Sequence, residues 1–389
     1  MSTATEAEPA TREELIARAQ AMIPTLRERS GETYRQRQIP PETVEEFKAA
    51  GFIRSVQSTR FGGMGHDLEV VGDVAMQIAR GCGSTGWMSA FWPIHQFQVG
   101  WFSERAQEEY FAKSPDTVSS TVNAFLSGER EDVPGGVRVS GTWNFSSGID
   151  HAEWALVQTR NELCLIPAED FSIVDNWEVS GLAGTGSKAI KIDGAFVPDY
   201  RIVTLEQQAK ADYPDGTEDS PWYKIPRPGV YVMNHFILAP VIGMARGVLD
   251  LFDERAQTRR DPQSLQPAKE RPGPQLRFAE AAAEIDAAEM FWRRNIARCR
   301  EWGEKGQAPP PELGAEIRRD ITYAAKLTQQ ATNRLVDGMD SSGLYDVNLI
   351  QRQARDVRAG GLQFVLHWEE TAMQFSRVHW GLEPQTVLI

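Results

Sequence analysis

The sequence predicts a mostly helical α+β protein in three parts. An N-terminal helical domain spans 1–112, a small β-barrel or β-sandwich domain spans 113–206, and a C-terminal four-helix bundle spans 230–389, with 207–229 as a linker or surface loop. Three observations predict this. Apolar residues recur at helical spacing up to about residue 112, the period falls to two between about 115 and 205, and four long stretches beyond 229 return to helical spacing. A chain of 389 residues also exceeds the size at which one core usually stops growing, so several domains or layers are expected. The Asp-, Pro- and Lys-rich composition of 207–229 separates the last two parts.

The first helix opens on a capping box, Thr11 with Glu14, and carries apolar residues at 15, 16, 19, 22, 23 and 26, with a kink expected at Pro24. A second starts after Pro40-Pro41, turns Val44 and Phe47 inward and stops at Gly51. A third runs through Leu68, Val71, Ala75 and Ile78 to Gly81. From Ser84 to His95 there is almost no charge until Glu104, so a helix there is buried on most sides, with His95 at its far end. Strands are expected at 117–122, 137–145, 154–159, 163–166, 189–197 and 202–204, each bounded by Gly, Pro, Asp or Asn. The bundle helices are expected at 229–260, 274–303, 311–339 and 348–380, with proline-marked breaks at 261–273 and 306–311.

The formal charge of −13, from 54 acidic and 41 basic residues, argues against a nucleic-acid groove or an anionic membrane surface and leaves small molecules and proteins as partners. Cys82, Cys164 and Cys299 lie far apart without CxxC or zinc spacing, as expected for reduced, buried cysteines of a cytoplasmic protein. Residues 1–10 lack a basic and apolar leader pattern, and no uninterrupted apolar run is expected to span a bilayer. None of the six histidines forms a metal motif, and neither a P-loop nor a strand-to-helix GxGxxG turn is present.

The segment Trp143-Asn-Phe145-Ser146-Ser147-Gly148-Ile-Asp150-His151-Ala-Glu-Trp154 carries the strongest local signal. A strand started by Pro134-Gly135-Gly136 runs straight into a hydroxyl-rich turn between two tryptophans. Such hydroxyls can hydrogen-bond a planar ligand without adding charge to an apolar pocket, and Gly148 admits close approach to the backbone. The same residues also suit a turn that merely ends a strand, and the residues alone leave both readings open. His95, His235 and His367 are likewise either core or helix-end histidines or site residues, and Arg355-Asp356 is readable as an ion pair. Gly184-Thr185-Gly186-Ser187 resembles half of a nucleotide fingerprint but lies between short strands.

Taken in order, these pieces resemble the acyl-CoA dehydrogenase superfamily, and within it the oxygenase components of two-component flavin-dependent monooxygenases, such as those acting on 4-hydroxyphenylacetate and on seco-steroids. The carriers are Cys82-Gly-Ser84-Thr85-Gly86-Trp87, the Trp143 to Trp154 segment, Trp177-x-x-x-Gly181-x-x-Gly184-Thr185-Gly186-Ser187, Phe196-Val197-Pro198, Gln351-Arg352-x-x-Arg355-Asp356 and Gly381-Leu382-Glu383-Pro384. The resemblance covers nearly the whole chain. It implies an acyl-CoA dehydrogenase-like fold and a reduced flavin, FMNH2 or FADH2, supplied by a separate NAD(P)H-dependent flavin reductase. It further implies reaction with O2 to a C4a-hydroperoxyflavin that hydroxylates a small aromatic substrate, phenolic or polycyclic, in a homotetramer.

By the same resemblance Ser147, with Ser146 beside it, contacts flavin N5, and His95 orients the substrate hydroxyl. Trp143, Phe145, Asn123 and Ser187 are expected flavin contacts, Arg259, Arg260, Arg271 and Arg355 are candidates for the flavin phosphate, and Trp87, Phe91 and His235 are expected to face the substrate. Ala183 stands where many relatives have arginine. A further departure is Gln363, at the position where the family often carries a final-helix histidine, because an amide takes no proton. His367, four residues on, is expected one turn along the same face. N-oxygenation by the same flavin chemistry and acyl-CoA dehydrogenation are the alternatives. The second lacks the usual glutamate base, since the region following Arg355-Asp356 reads Leu362-Gln363-Phe364.

Overall fold

The computed structural model describes residues 9–122, 128–213 and 220–386. Five helices come first: α1 Arg12–Gln36, α2 Pro41–Ala50, α3 Glu69–Gly81, α4 Gly83–Val99 and α5 Glu104–Phe111. The Thr11/Glu14 capping box opens α1, Pro24 is carried inside an unbroken helix, and Gly51 ends α2 in the left-handed conformation. Of the 17 residues of α4 only Phe91 escapes full burial, because α4 is wedged between α3 and the bundle.

Eight strands follow: β1 Ser119–Val122, β2 Glu129–Val133, β3 Gly136–Ser146, β4 Trp154–Gln158, β5 Glu162–Pro167, β6 Phe171–Val174, β7 Lys188–Pro198 and β8 Ile202–Thr204. They form two four-stranded sheets, β1-β4-β5-β8 and β2-β3-β7-β6, antiparallel except for the β1/β4 pair. Their facing sides share a core of Val137, Val139, Trp143, Val157, Ile166 and Ile190, separate from the helical core. Strands β2 and β6 are additional to those read from the sequence. The first is charged and exposed along nearly its whole length, so it lacks the apolar alternation that marks a half-buried strand.

Alternation puts Trp143 and Phe145 on one face of β3, and the structure does not. The pairing register of β3 against β7 shifts between Trp143 and Ser146, and Phe145 takes φ +68°. Trp143 stays in the sandwich core while Phe145 turns outward. A left-handed phenylalanine costs about 1–2 kcal/mol relative to an ordinary strand residue.

The stretch 207–229 is not a surface loop in its described part. It contributes to α6 Leu205–Lys210, forms α7 Pro221–Lys224 and starts α8 Pro228–Tyr231, and Trp222 and Ile225 are buried. The bundle comprises α9 Met233–Thr258, α10 Pro272–Glu304, α11 Pro311–Val336, α12 Leu349–Gly361 and α13 Trp368–His379. The Pro228–Thr258 stretch is long and apolar enough to cross a bilayer by composition, but its apolar run is interrupted by Asn234, His235, Arg246 and Asp250, and 83% of its apolar window is buried inside the bundle. The expected last helix is broken in two. Gly360 meets Val241 and Trp87, and Gly361 meets Gln329, so closely that neither position accepts a side chain without displacement. The chain leaves α12 there and passes through a 3-10 turn, Phe364–Leu366, before α13.

Candidate active site

Two turns of the β-domain are fastened together against α1, α4 and α12. The first, Ser146 to Gly148, ends β3; the second runs from Leu182 to Ser187 before β7. Gly148 N donates to the Thr185 carbonyl at 2.8 Å, and Lys188 Nζ meets Asp150 Oδ1 at 2.5 Å. His151 Nε2 donates to the Ile39 carbonyl at 2.7 Å and so holds the first turn to the α1–α2 connection. Gly184 packs on Thr33 and Ser84, and Gly181 on the Arg355 carbonyl. The glycines of the apparent half-fingerprint therefore serve close packing between elements.

Asp356 secures the second turn. Its Oδ1 accepts from Leu182 N at 2.6 Å, and its carboxylate lies against Gly83, the first residue of α4. Among the described residues it makes no ion pair, which corrects the pairing read from Arg355-Asp356. Burial pushes its pKa up to about 6, against the pull of the Leu182 amide.

Three hydroxyls form a chain between the turns with only one consistent order of protons. Thr185 Oγ1 donates to the Leu182 carbonyl at 2.8 Å, and a carbonyl cannot donate in return. Ser187 Oγ, 2.7 Å from Thr185 Oγ1, must then be the donor of that pair. Ser147 Oγ, 2.7 Å from Ser187 Oγ, must in turn donate to it. Ser147 is left with lone pairs only for a ligand, and it remains 8% exposed. Its neighbour Phe145 is 71% exposed and stands edge-on to Trp177. Ser146 is fully buried with an Oγ that lacks a partner.

His95 lies one turn inside the end of α4 and is buried. Its Nδ1 is 2.6 Å from the Ser119 carbonyl, which accepts only, so Nδ1 carries the proton. Burial lowers its pKa to about 4, so Nε2 is a bare acceptor at neutral pH. Phe91 meets its edge at 5.6 Å, and Trp87 stacks on Phe91 at 4.8 Å, which gives an aromatic row along α4 ending at the histidine. Trp92, one turn before His95, places a buried, unpartnered Nε1 beside Gly148.

Several expected site residues lie elsewhere. Trp143 is fully buried, donates Nε1 to the Gln158 carbonyl at 3.1 Å and cannot reach a ligand. Ser187 is the middle of the hydroxyl chain. Gln363 Oε1 accepts from Val365 N at 2.8 Å and caps the 3-10 turn. His367 lies beyond the helix break, not one turn along the same face, and is exposed with Nε2 3.2 Å from the Leu362 carbonyl. His235 is buried in the bundle, where its backbone carbonyl accepts from Trp292 Nε1 at 2.8 Å. Arg271 pairs with Asp261, while Arg355 lies over the Tyr34 ring at 5.3 Å with its Nε unpartnered. Asn123 lies outside the described residues. Thr185 and Asp356 were missed as positioning groups, and the only sequence signal for the first was a hydroxyl beside Ser187.

The buried titrating groups determine the acid stability. His95 and His235 are both lowered to about 4 by burial, so the unfolded chain binds their protons first and stability falls as pH drops below about 6.5. Asp356, raised to about 6, acts in the opposite sense below that pH. His151, also lowered by burial, adds to the two histidines, so the balance between about pH 6 and pH 4 is a net loss of stability on acidification. Urea unfolding across that range is expected to show midpoints that decrease on acidification, and a flat or rising series would contradict the burial of these imidazoles.

A helical domain, a small β-sandwich and a helical bundle, with a hydroxyl-lined turn at their junction, define the acyl-CoA dehydrogenase-like class of flavoproteins. Residues 235–368 match the family described as acyl-CoA dehydrogenase, C-terminal domain. The chain is 33% identical over 382 residues to the oxygenase subunit HsaA of a flavin-dependent monooxygenase from Rhodococcus jostii strain RHA1, covering 94% of this chain and 98% of that protein. It is 27% identical over 389 residues to the oxygenase component of an FADH2-dependent resorcinol hydroxylase from Rhizobium sp. strain MTP-10005, covering 95% of each. The crystal structure of 3-HSA hydroxylase from Rhodococcus sp. RHA1 superposes with a TM-score of 0.89 at 32% identity, over 97% of this chain and 99% of that one. The chain belongs to the family of oxygenase subunits of flavin-dependent monooxygenases.

Proposed function

We propose that this chain takes reduced flavin from a separate NAD(P)H-dependent reductase and uses it with O2 to hydroxylate an aromatic substrate, phenolic or polycyclic. The observation that carries this reading is the ordered hydroxyl chain ending in Ser147. A reduced flavin presents an N5–H donor, and Ser147 Oγ is an uncharged acceptor whose own proton is already committed to Ser187. The exposed Phe145 ring beside it offers an apolar face to a planar ring system. These residues fit a flavin, which when bound supplies the activation of O2.

The protein's own groups do the rest. Ser147 would hold the N5 proton in place, because a neutral hydroxyl accepts a hydrogen bond but is too weak a base to take the proton. His95 Nε2 accepts a hydrogen bond from the substrate's ring hydroxyl, and Trp87 and Phe91 supply apolar contact for the ring. Gln363 leaves no titrating side chain at its position, so His95 is the group that polarises the phenol. The relative named as a resorcinol hydroxylase supports an aromatic substrate. Exposed Leu276 and Met290 on α10, with Trp380 and Leu382 after α13, support a homotetramer, to be read from sedimentation equilibrium. Three free, buried cysteines support a reducing, cytoplasmic setting.

The test supplies the purified chain with enzymatically reduced FMN or FAD, 18O2 and a panel of phenols and polycyclic aromatics. One labelled oxygen on a ring carbon is the expected result. Label on nitrogen would select N-oxygenation, and oxygen-independent oxidation of an acyl thioester would overturn the reading.

A further inference from the structure

The bundle core holds a cation without a counter-ion. Arg318, on α11, is 2% exposed. Its Nη2 donates to the Val365 carbonyl at 3.0 Å, while Nε and Nη1 are buried with no acceptor. Among the described residues no carboxylate pairs with it, and burial pulls its pKa down to about 10. Beside it His235 is fully buried, and its ring lies against the Val232 and Tyr231 backbone without a side-chain partner. Tyr231, on α8, is close enough to feel the arginine's charge, and its hydroxyl lies against Gly314, where a Cβ would come within 3.0 Å.

An unpaired buried cation is costly, and each unsatisfied buried donor adds to that cost. Water can satisfy the donors but does not neutralise the charge. The Arg318 guanidinium and the Tyr231 hydroxyl present N–H and O–H donors around one positive charge, and among the described residues no negative group pairs with it. We propose that Arg318, with His235 and Tyr231 alongside, binds a small monovalent carboxylate inside the helical bundle. The carboxylate belongs either to a free small acid or to the tail of an aromatic substrate. Only the second source rests on the hydroxylase reading.

The test follows thermal unfolding of the full chain while sodium formate replaces sodium gluconate at constant ionic strength, gluconate being too bulky to enter. Wild type is expected to show a saturable rise of about 3–5 °C. Arg318→Met is expected to lose the rise and, without formate, to be at least as stable as wild type, because an uncompensated charge has been removed. Should that variant not fold, Arg318→Lys keeps the charge without the guanidinium and is expected to raise the half-saturating formate concentration about tenfold. Repeating the titration with 4-hydroxyphenylacetate or p-cresol present separates the sources. Competition by the first alone assigns the site to a substrate tail, and competition by neither assigns it to a free acid. A flat wild-type response, or an Arg318 variant titrating like wild type, would overturn the proposal.

Discussion

Ser147→Ala is expected to turn an oxygenase into a peroxide generator. Product per reduced flavin oxidised should fall about tenfold or more, with H2O2 rising to match, since one hydrogen bond to a reacting group is worth about 1–3 kcal/mol. The affinity for reduced flavin should change far less, because Phe145 and the rest of the turn remain. The proton order between the turns sharpens the test. Ser187→Ala removes the acceptor that occupies the Ser147 proton, so Ser147 can then donate as well as accept. A smaller loss of coupling is therefore expected from Ser187→Ala than from Ser147→Ala, at nearly unchanged flavin affinity. Quantifying peroxide and product side by side decides the matter, and full coupling in Ser147→Ala would remove the serine from the reaction.

His95→Ala is expected to reduce hydroxylation by about 10²–10⁴, the range assigned to one positioned acid–base group, while flavin binding changes far less. Alanine also strands the Ser119 carbonyl and opens a cavity, so part of any loss could be structural. His95→Gln addresses this because its amide can still donate toward that carbonyl. If His95 polarises the phenol, the glutamine variant should fold like wild type yet hydroxylate poorly. With its pKa lowered to about 4, His95 stays neutral over the working range, so wild-type turnover should show no acid limb near pH 6.5. Equal losses of flavin binding and hydroxylation would make the histidine structural, and a limb near 6.5 would mean that it is not buried as described.

Much of the architecture was legible because it rests on short-range signals. The Thr11/Glu14 box, the Pro41 start and Gly51 stop of α2, and the polar turn after β3 involve residues a few positions apart, which composition records directly. The charged strand β2 was not legible, because edge strands solvated on both faces lose the alternation that identifies them. The last helix was read as continuous because its apolar period passes through the break at Gly361. Gly360 and Gly361 there pack closely on Trp87, Val241 and Gln329, none of which is nearby in sequence.

The site shows the same division. The chain alone supplied the two serines and the glycine at the end of a strand, a histidine closing an apolar segment, and an order of motifs that indicated flavin chemistry. It could not say that a register shift sends Trp143 inward and Phe145 outward. Nor could it say that Thr185 and Ser187 order the protons so that Ser147 faces a ligand as an acceptor, or that His367 lies beyond a helix break from Gln363. Period and turn chemistry are properties of neighbouring residues, so the sequence determined them by itself. The direction a side chain faces, and which atom holds a shared proton, depend on the elements packed around it, and only the tertiary structure decided those.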